Sequence, residues 1–75
     1  MTAADLGDLF VKTLLREAGG NRRGWRAAMG KIRVYSLETH AHCNWSITPS
    51  GSALENAWIE KIADRLRGDV PIVGD

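Results

Sequence analysis

His40, His42 and Cys43 carry the most reactive side chains in this chain. Imidazole and thiolate are good zinc ligands, but a structural zinc takes four protein ligands. Only Glu38 stands near enough in sequence to join these three. On a strand, His40 and His42 would share one face while Cys43 points to the other, so all three meet one metal only if the loop curls. A Cys–His nucleophile also needs a third, orienting group. His42, adjacent to Cys43, is badly placed to activate it. Catalysis further asks for a pocket of about 300–1,000 Å³, for which so short a chain has little room. Ser50-Gly51-Ser52 lacks the further glycines and the lysine of a P-loop and reads as a turn followed by a helix cap. The expectation is a non-enzymatic protein without a metal or other cofactor. Its 38–43 stretch is then a polar loop running into a strand that carries a half-buried thiol.

Binding chemistry is better represented. Trp45 and Trp58 fall in apolar patterns and read as core. Trp25 stands among Arg22, Arg23 and Arg26, with Arg33 on the following strand. An indole beside guanidinium groups can stack on a nucleobase or anchor a protein interface, where Trp and Arg are both enriched. The candidate partner-binding residues are therefore Arg22, Arg23, Trp25, Arg26, Lys31 and Arg33. Three readings stay open for them: a solvated surface, a contact with a larger protein or nucleoprotein complex, and direct nucleic-acid binding. No helix-turn-helix or RRM signature favours the last.

The net charge of +1 hides an asymmetry. Residues 12–33 hold seven bases and one acid, Glu17, a local charge of +6. Residues 1–11 carry −2 through Asp5 and Asp8, and residues 34–75 carry −3. A basic front half joined to an acidic back half bears on partner choice more than the total does.

The chain has 75 residues, enough for one domain spanning 1–75. A domain of this size buries roughly 60% of the surface its unfolded chain exposes, so its stability is marginal and a partner subunit would help. A single cysteine excludes an internal disulfide framework. Cys43 is left either as a reduced thiol or as an intermolecular disulfide in a homodimer. No apolar run approaches the ~20 residues of a membrane span. The start, Met1-Thr2-Ala3-Ala4-Asp5, lacks the pattern of a signal peptide. A cytoplasmic location without membrane contact is expected.

The elements that must position these residues are legible from periodicity and caps. Thr2 and Asp5 form a capping-box pattern for a helix over 3–18, with Leu6, Leu9, Phe10, Thr13 and Leu14 on the buried face and Val11 and Leu15 widening it. Gly19-Gly20 ends that helix. Asn21 caps a short helix over 22–29, with Trp25, Ala28 and Met29 inward and the arginines outward. Two β-type runs follow, 31–37 and 43–48. In the second, Cys43, Trp45 and Ile47 face one side, and Asn44, Ser46 and Thr48 the other. Together they predict an antiparallel hairpin, which must pack on helices to be stable. Ser52 and Glu55 make a second capping box for a helix to about Arg67, with Leu54, Trp58, Ile62 and Leu66 as its buried stripe and Gly68 as its stop. Val70-Pro71-Ile72-Val73 is extended and is a candidate third edge strand. The predicted fold class is α+β: two main helices and one short helix packed on an antiparallel hairpin.

The segment His40-Ala41-His42-Cys43-Asn44-Trp45-Ser46-Ile47-Thr48-Pro49-Ser50-Gly51 resembles a stretch of short proteins carried by phages and bacterial mobile elements, the population from which anti-CRISPR proteins come. It covers about a sixth of the chain. The resemblance implies a small α+β protein, often dimeric, that inhibits by occupying a surface on a larger effector. Many anti-CRISPR proteins are strongly acidic mimics of DNA. At +1 this chain departs from them, so the resemblance implies contact with a protein surface rather than mimicry, and it carries over no functional residues. The functional expectation is a small binding protein, an inhibitor or adaptor on a larger protein or nucleoprotein complex. The alternative is a nucleic-acid-binding regulator using the basic segment 12–33.

Overall fold

Local signals start each helix of the computed structural model, which describes residues 1–74. Helix α1 spans Ala3–Glu17. Thr2 Oγ1 accepts from the Asp5 N–H at 3.1 Å, and the Asp5 carboxylate accepts from the Thr2 N–H at 3.0 Å. The bond from the Thr2 N–H, and after it the Thr2 hydroxyl, hold the Asp5 carboxyl below its usual range. Gly19 and Gly20, both at φ 81, turn the chain out of α1 through a region that glycine enters without steric cost. Helix α2 spans Arg22–Met29 and is capped by Asn21, whose side-chain oxygen accepts from the Gly24 N–H at 2.8 Å. Helix α3 spans Ala53–Asp69 under the Ser52–Glu55 capping box. Caps of this kind contribute about 1 kcal/mol each.

The three helices enclose one core, with a two-stranded antiparallel sheet beside it. Leu6, Phe10, Val11 and Leu14 of α1 meet Trp25, Ala28 and Met29 of α2 and Ile59, Ile62, Ala63 and Leu66 of α3. Trp45 closes the core from the sheet. Its ring meets Phe10 edge-on at 5.7 Å, and its Nε1 donates to the Val70 carbonyl at 2.7 Å. The architecture is the α+β arrangement that the patterns predict.

Five details differ from the sequence reading. The strands are short: β1 is Arg33–Val34 and β2 is Trp45–Ser46, with Arg33 opposite Ser46 and Val34 opposite Trp45. A turn over residues 37–39 and the bonds from Thr39 and His40 N–H to the Ser36 carbonyl take the chain out of extended geometry. At the other side, Asn44 is only half in the ladder: its carbonyl accepts from the Tyr35 N–H at 2.7 Å. Its N–H donates to the Pro71 carbonyl at 3.1 Å.

Asn44 is also the exception to the alternation in 43–48, being buried rather than solvent-facing. Its side chain pairs with the Val73 backbone in both directions. The tail therefore lies against Asn44 and the N-terminus and is not a third strand of the β1–β2 sheet. Gly74 forms a parallel bridge with Thr2, and its N–H donates to the Met1 carbonyl at 2.9 Å.

Along α3 the buried stripe is Ile59, Ile62, Ala63 and Leu66, while Leu54 is 71% exposed and Trp58 half-buried. Repeats of four drift on a helix of 3.6 residues per turn, so Leu54 and Leu66 end about 120° apart and cannot share one face. The helix also runs through Gly68 to Asp69. Gly68 is not in the left-handed conformation. The stop comes instead at Val70, which Pro71 forces out of helical geometry.

Candidate binding face

The basic residues of 12–33 divide by what they touch. Trp25 is 7% exposed, packed in the core, and its Nε1 donates to the Gly19 carbonyl at 2.6 Å. Its position at the centre of the arginine-rich helix points it inward, between α1 and α3, so it is not the exposed stacking platform that its arginine neighbours suggest. Arg26 crosses to α1 and pairs with Asp8. Arg22 and Arg23, one turn earlier on α2, are exposed, as are Lys31 and Arg33. Among the described residues none of these four has a carboxylate partner.

Two adjoining grooves run past Lys31 and Arg33; Arg22 and Arg23 line neither. One, of 330 Å³, lies between the first turns of α1 and the C-terminal end of α2 and includes Gly7, Asp8, Arg26 and Lys31. A Cβ on Gly7 would lie 3.8 Å from both the Arg26 guanidinium and the Ile32 side chain. The second groove, of 590 Å³, follows residues 31–35 with Ala3 as its other wall. Lys31 and Ile32 belong to both. Sequence reasoning missed Val34, which is 39% exposed beside these cations. Its β-branched type reads as core, and its exposure follows from lying at the edge of the sheet.

The outer face of the hairpin carries a second polar group. Tyr35 Oη lies 2.9 Å from Ser46 Oγ, and the Tyr35 ring stacks on His40 at 4.2 Å. The Ser46 hydroxyl, and then Arg33, pull the Tyr35 phenol below its usual range. His40 Nδ1 is 2.9 Å from the Thr39 hydroxyl. Cys43 is half-buried, with its thiol directed to the Trp45 carbonyl at 3.5 Å. Among the described residues no three His, Cys, Asp or Glu side chains are gathered in metal-holding geometry. No helix among them is long and apolar enough to cross a membrane.

Comparison with protein-family models, curated proteins and solved structures finds no match to this chain.

Proposed function

We propose that this chain is a small non-catalytic binding protein that seats on a larger protein or nucleoprotein complex through the face formed by α2 and β1. The observation that carries this reading is the groove along residues 31–35, where uncompensated Lys31 and Arg33 flank exposed Val34. Cations beside an accessible apolar side chain combine steering with buried contact area. The likeness of residues 40–51 to short phage and mobile-element proteins makes an inhibitor that occupies a host surface the specific form of this reading.

Affinity capture with the wild-type chain and with the Lys31→Glu/Arg33→Glu variant tests it. A stoichiometric protein partner is expected with the wild type and not with the variant, whose far-ultraviolet circular dichroism should be unchanged. Equal recovery by both, or no stoichiometric partner, would overturn it.

The unpaired cations of segment 12–33, which are Lys12, Arg22, Arg23, Lys31 and Arg33, favour a second reading, a nucleic-acid-binding regulator. Contacts from Arg22, Arg23, Lys31 and Arg33 to four phosphates would give log K a slope of about −3 to −4 against log salt. Burial of Trp25 counts against base stacking at that site. Fluorescence anisotropy with duplex and single-stranded DNA and RNA decides the matter, and absence of binding at low salt eliminates this reading.

A further inference from the structure

We propose that the outer edge of β1 accepts an acidic, extended peptide as an added strand; this rests on the binding-protein reading above and names the chemistry of its partner. The register supplies the first part of the case. The Tyr35 N–H donates to the Asn44 carbonyl at 2.7 Å, and Val34 stands opposite Trp45. Residues along an antiparallel strand alternate between hydrogen-bonded and non-hydrogen-bonded positions. Arg33 and Tyr35 therefore aim their main-chain groups at β2, and Val34 aims its N–H and C=O away from it. Among the described residues neither group of Val34 has a backbone partner. The sheet has two strands, so this side of β1 is an open edge.

An open edge is a template for another chain. Here it borders the 590 Å³ groove whose far wall is Ala3, space in which an extended segment can lie. Strand addition draws affinity from main-chain bonds and specificity from alternate side chains.

Charge selects the occupant. Lys31 and Arg33 line the groove and no carboxylate does. Opposite charges across a strand pair attract, and like charges repel. A second copy of this chain would bring the same cations to the edge, whereas a strand with Glu or Asp at alternate positions complements both.

The probe is a fluorescein-labelled peptide of alternating Val and Glu, read by anisotropy at low salt. Two further peptides of the same sequence carry N-methyl groups on one or the other alternate set of backbone nitrogens. The unmodified peptide is expected to bind. Methylation of the set facing β1 should weaken it about tenfold or more, the equivalent of about 1.4 kcal/mol, and methylation of the other set should not. Charge is the same in all three. On the protein side, Val34→Pro deletes the outward N–H and leaves the ladder bonds of Arg33 and Tyr35. Proline is tolerated on an edge whose N–H faces solvent. This variant should lose the same affinity, and in the wild type bound peptide should slow hydrogen exchange at the Val34 amide. The methylated peptides test the idea on the wild-type chain even if Val34→Pro does not fold.

Equal binding of all three peptides would mean that charge alone holds them and would overturn strand addition. So would failure of the unmodified peptide to bind at millimolar concentration. Displacement of the peptide by a DNA oligonucleotide of equal or higher affinity would assign the groove to nucleic acid. A two-chain mass abolished by Val34→Pro would assign it to a second copy. A cellular partner lost with Lys31→Glu/Arg33→Glu but retained by folded Val34→Pro would sink strand addition and leave the binding reading standing.

Discussion

The Asn44 side chain accepts from the Val73 N–H and donates to the Val73 carbonyl, each at 2.8 Å, in a site where Asn44 is only 3% exposed. Asn44→Ala leaves both Val73 groups without their partner. A loss of about 2–4 kcal/mol is expected from two unsatisfied buried groups, read as a lower urea midpoint with an unchanged m-value. A second residue-scale contact depends on pH. Both Glu17 oxygens accept from Arg65, which ties the end of α1 to α3. That pairing, opposed by partial desolvation, holds the Glu17 carboxyl below its usual range. A carboxyl with a depressed folded-state value contributes stability that is present above its unfolded value and lost as pH falls through its folded one. Glu17→Gln should therefore be less stable than the wild type at neutral pH, and the difference should vanish in acid. Melting temperatures across pH 2–7 (the range over which carboxyls titrate, about 4 when unperturbed) check it; a constant difference would show that charge pairing is not its source. Neither contact was legible in the sequence. Alternation places Asn44 in solvent, and its partner lies 29 positions away. Arg65 lies 48 positions from Glu17.

At the scale of elements, the turn before α3 is fitted tightly to α2. The Ser50 N–H donates to the Ala28 carbonyl at 2.8 Å, and the Gly51 N–H donates to Asn56 Oδ1 at 2.9 Å. A Cβ on Gly51 would lie 2.7 Å from the Ala28 Cβ and 2.7 Å from a Glu55 carboxylate oxygen. The Glu55 carboxylate can rotate away only by breaking its bond to the Ser52 N–H, half of the capping box. The Ala28 methyl sits on a helix and cannot move alone. Gly51→Ala is expected to cost about 1–3 kcal/mol, as overpacking does. Thermal unfolding measures it, and Ala28→Gly in the same chain should recover part of the loss by removing one clash. Here the sequence reads well for physical reasons. A cap involves residues three apart, so Thr2–Asp5, Asn21–Gly24 and Ser52–Glu55 all carry their own signal. The facing of α3 reads poorly because a spacing of four fits one turn and drifts over three. The hairpin shortens because its ends are decided by the Ser36 turn and by the tail, neither of which is a property of the strands.

Across the whole molecule, pairing sorts the bases. Arg16, Arg26, Arg65 and Arg67 have carboxylate partners. Of the bases without one among the described residues, Lys61 alone lies outside segment 12–33, and its ammonium stands 5.0 Å over the Trp58 ring. The charge asymmetry of the sequence thus survives folding as five bases of segment 12–33, namely Lys12, Arg22, Arg23, Lys31 and Arg33, that have no carboxylate partner among the described residues. Composition shows that asymmetry directly. It does not show that Asp8 reaches Arg26, because that depends on how α2 crosses α1; the inward turn of Trp25 is the one that its helical spacing with Ala28 and Met29 predicts. The same packing bears on self-association. A disulfide-linked dimer needs the Cys43 thiol at the surface and facing its symmetry mate, with the two Cα atoms within about 7 Å. The thiol is instead half-buried and aimed at the Trp45 carbonyl of its own chain. Reaching a second copy would require it to turn away from that carbonyl. Light scattering is therefore expected to give one mass with and without reductant, and the same mass for Cys43→Ser. A two-chain mass that reductant or Cys43→Ser abolishes would refute this and place the thiol at a two-fold axis. A two-chain mass that survives both would locate the contact in packing, with the open edge of β1 as the first surface to examine by Val34→Pro.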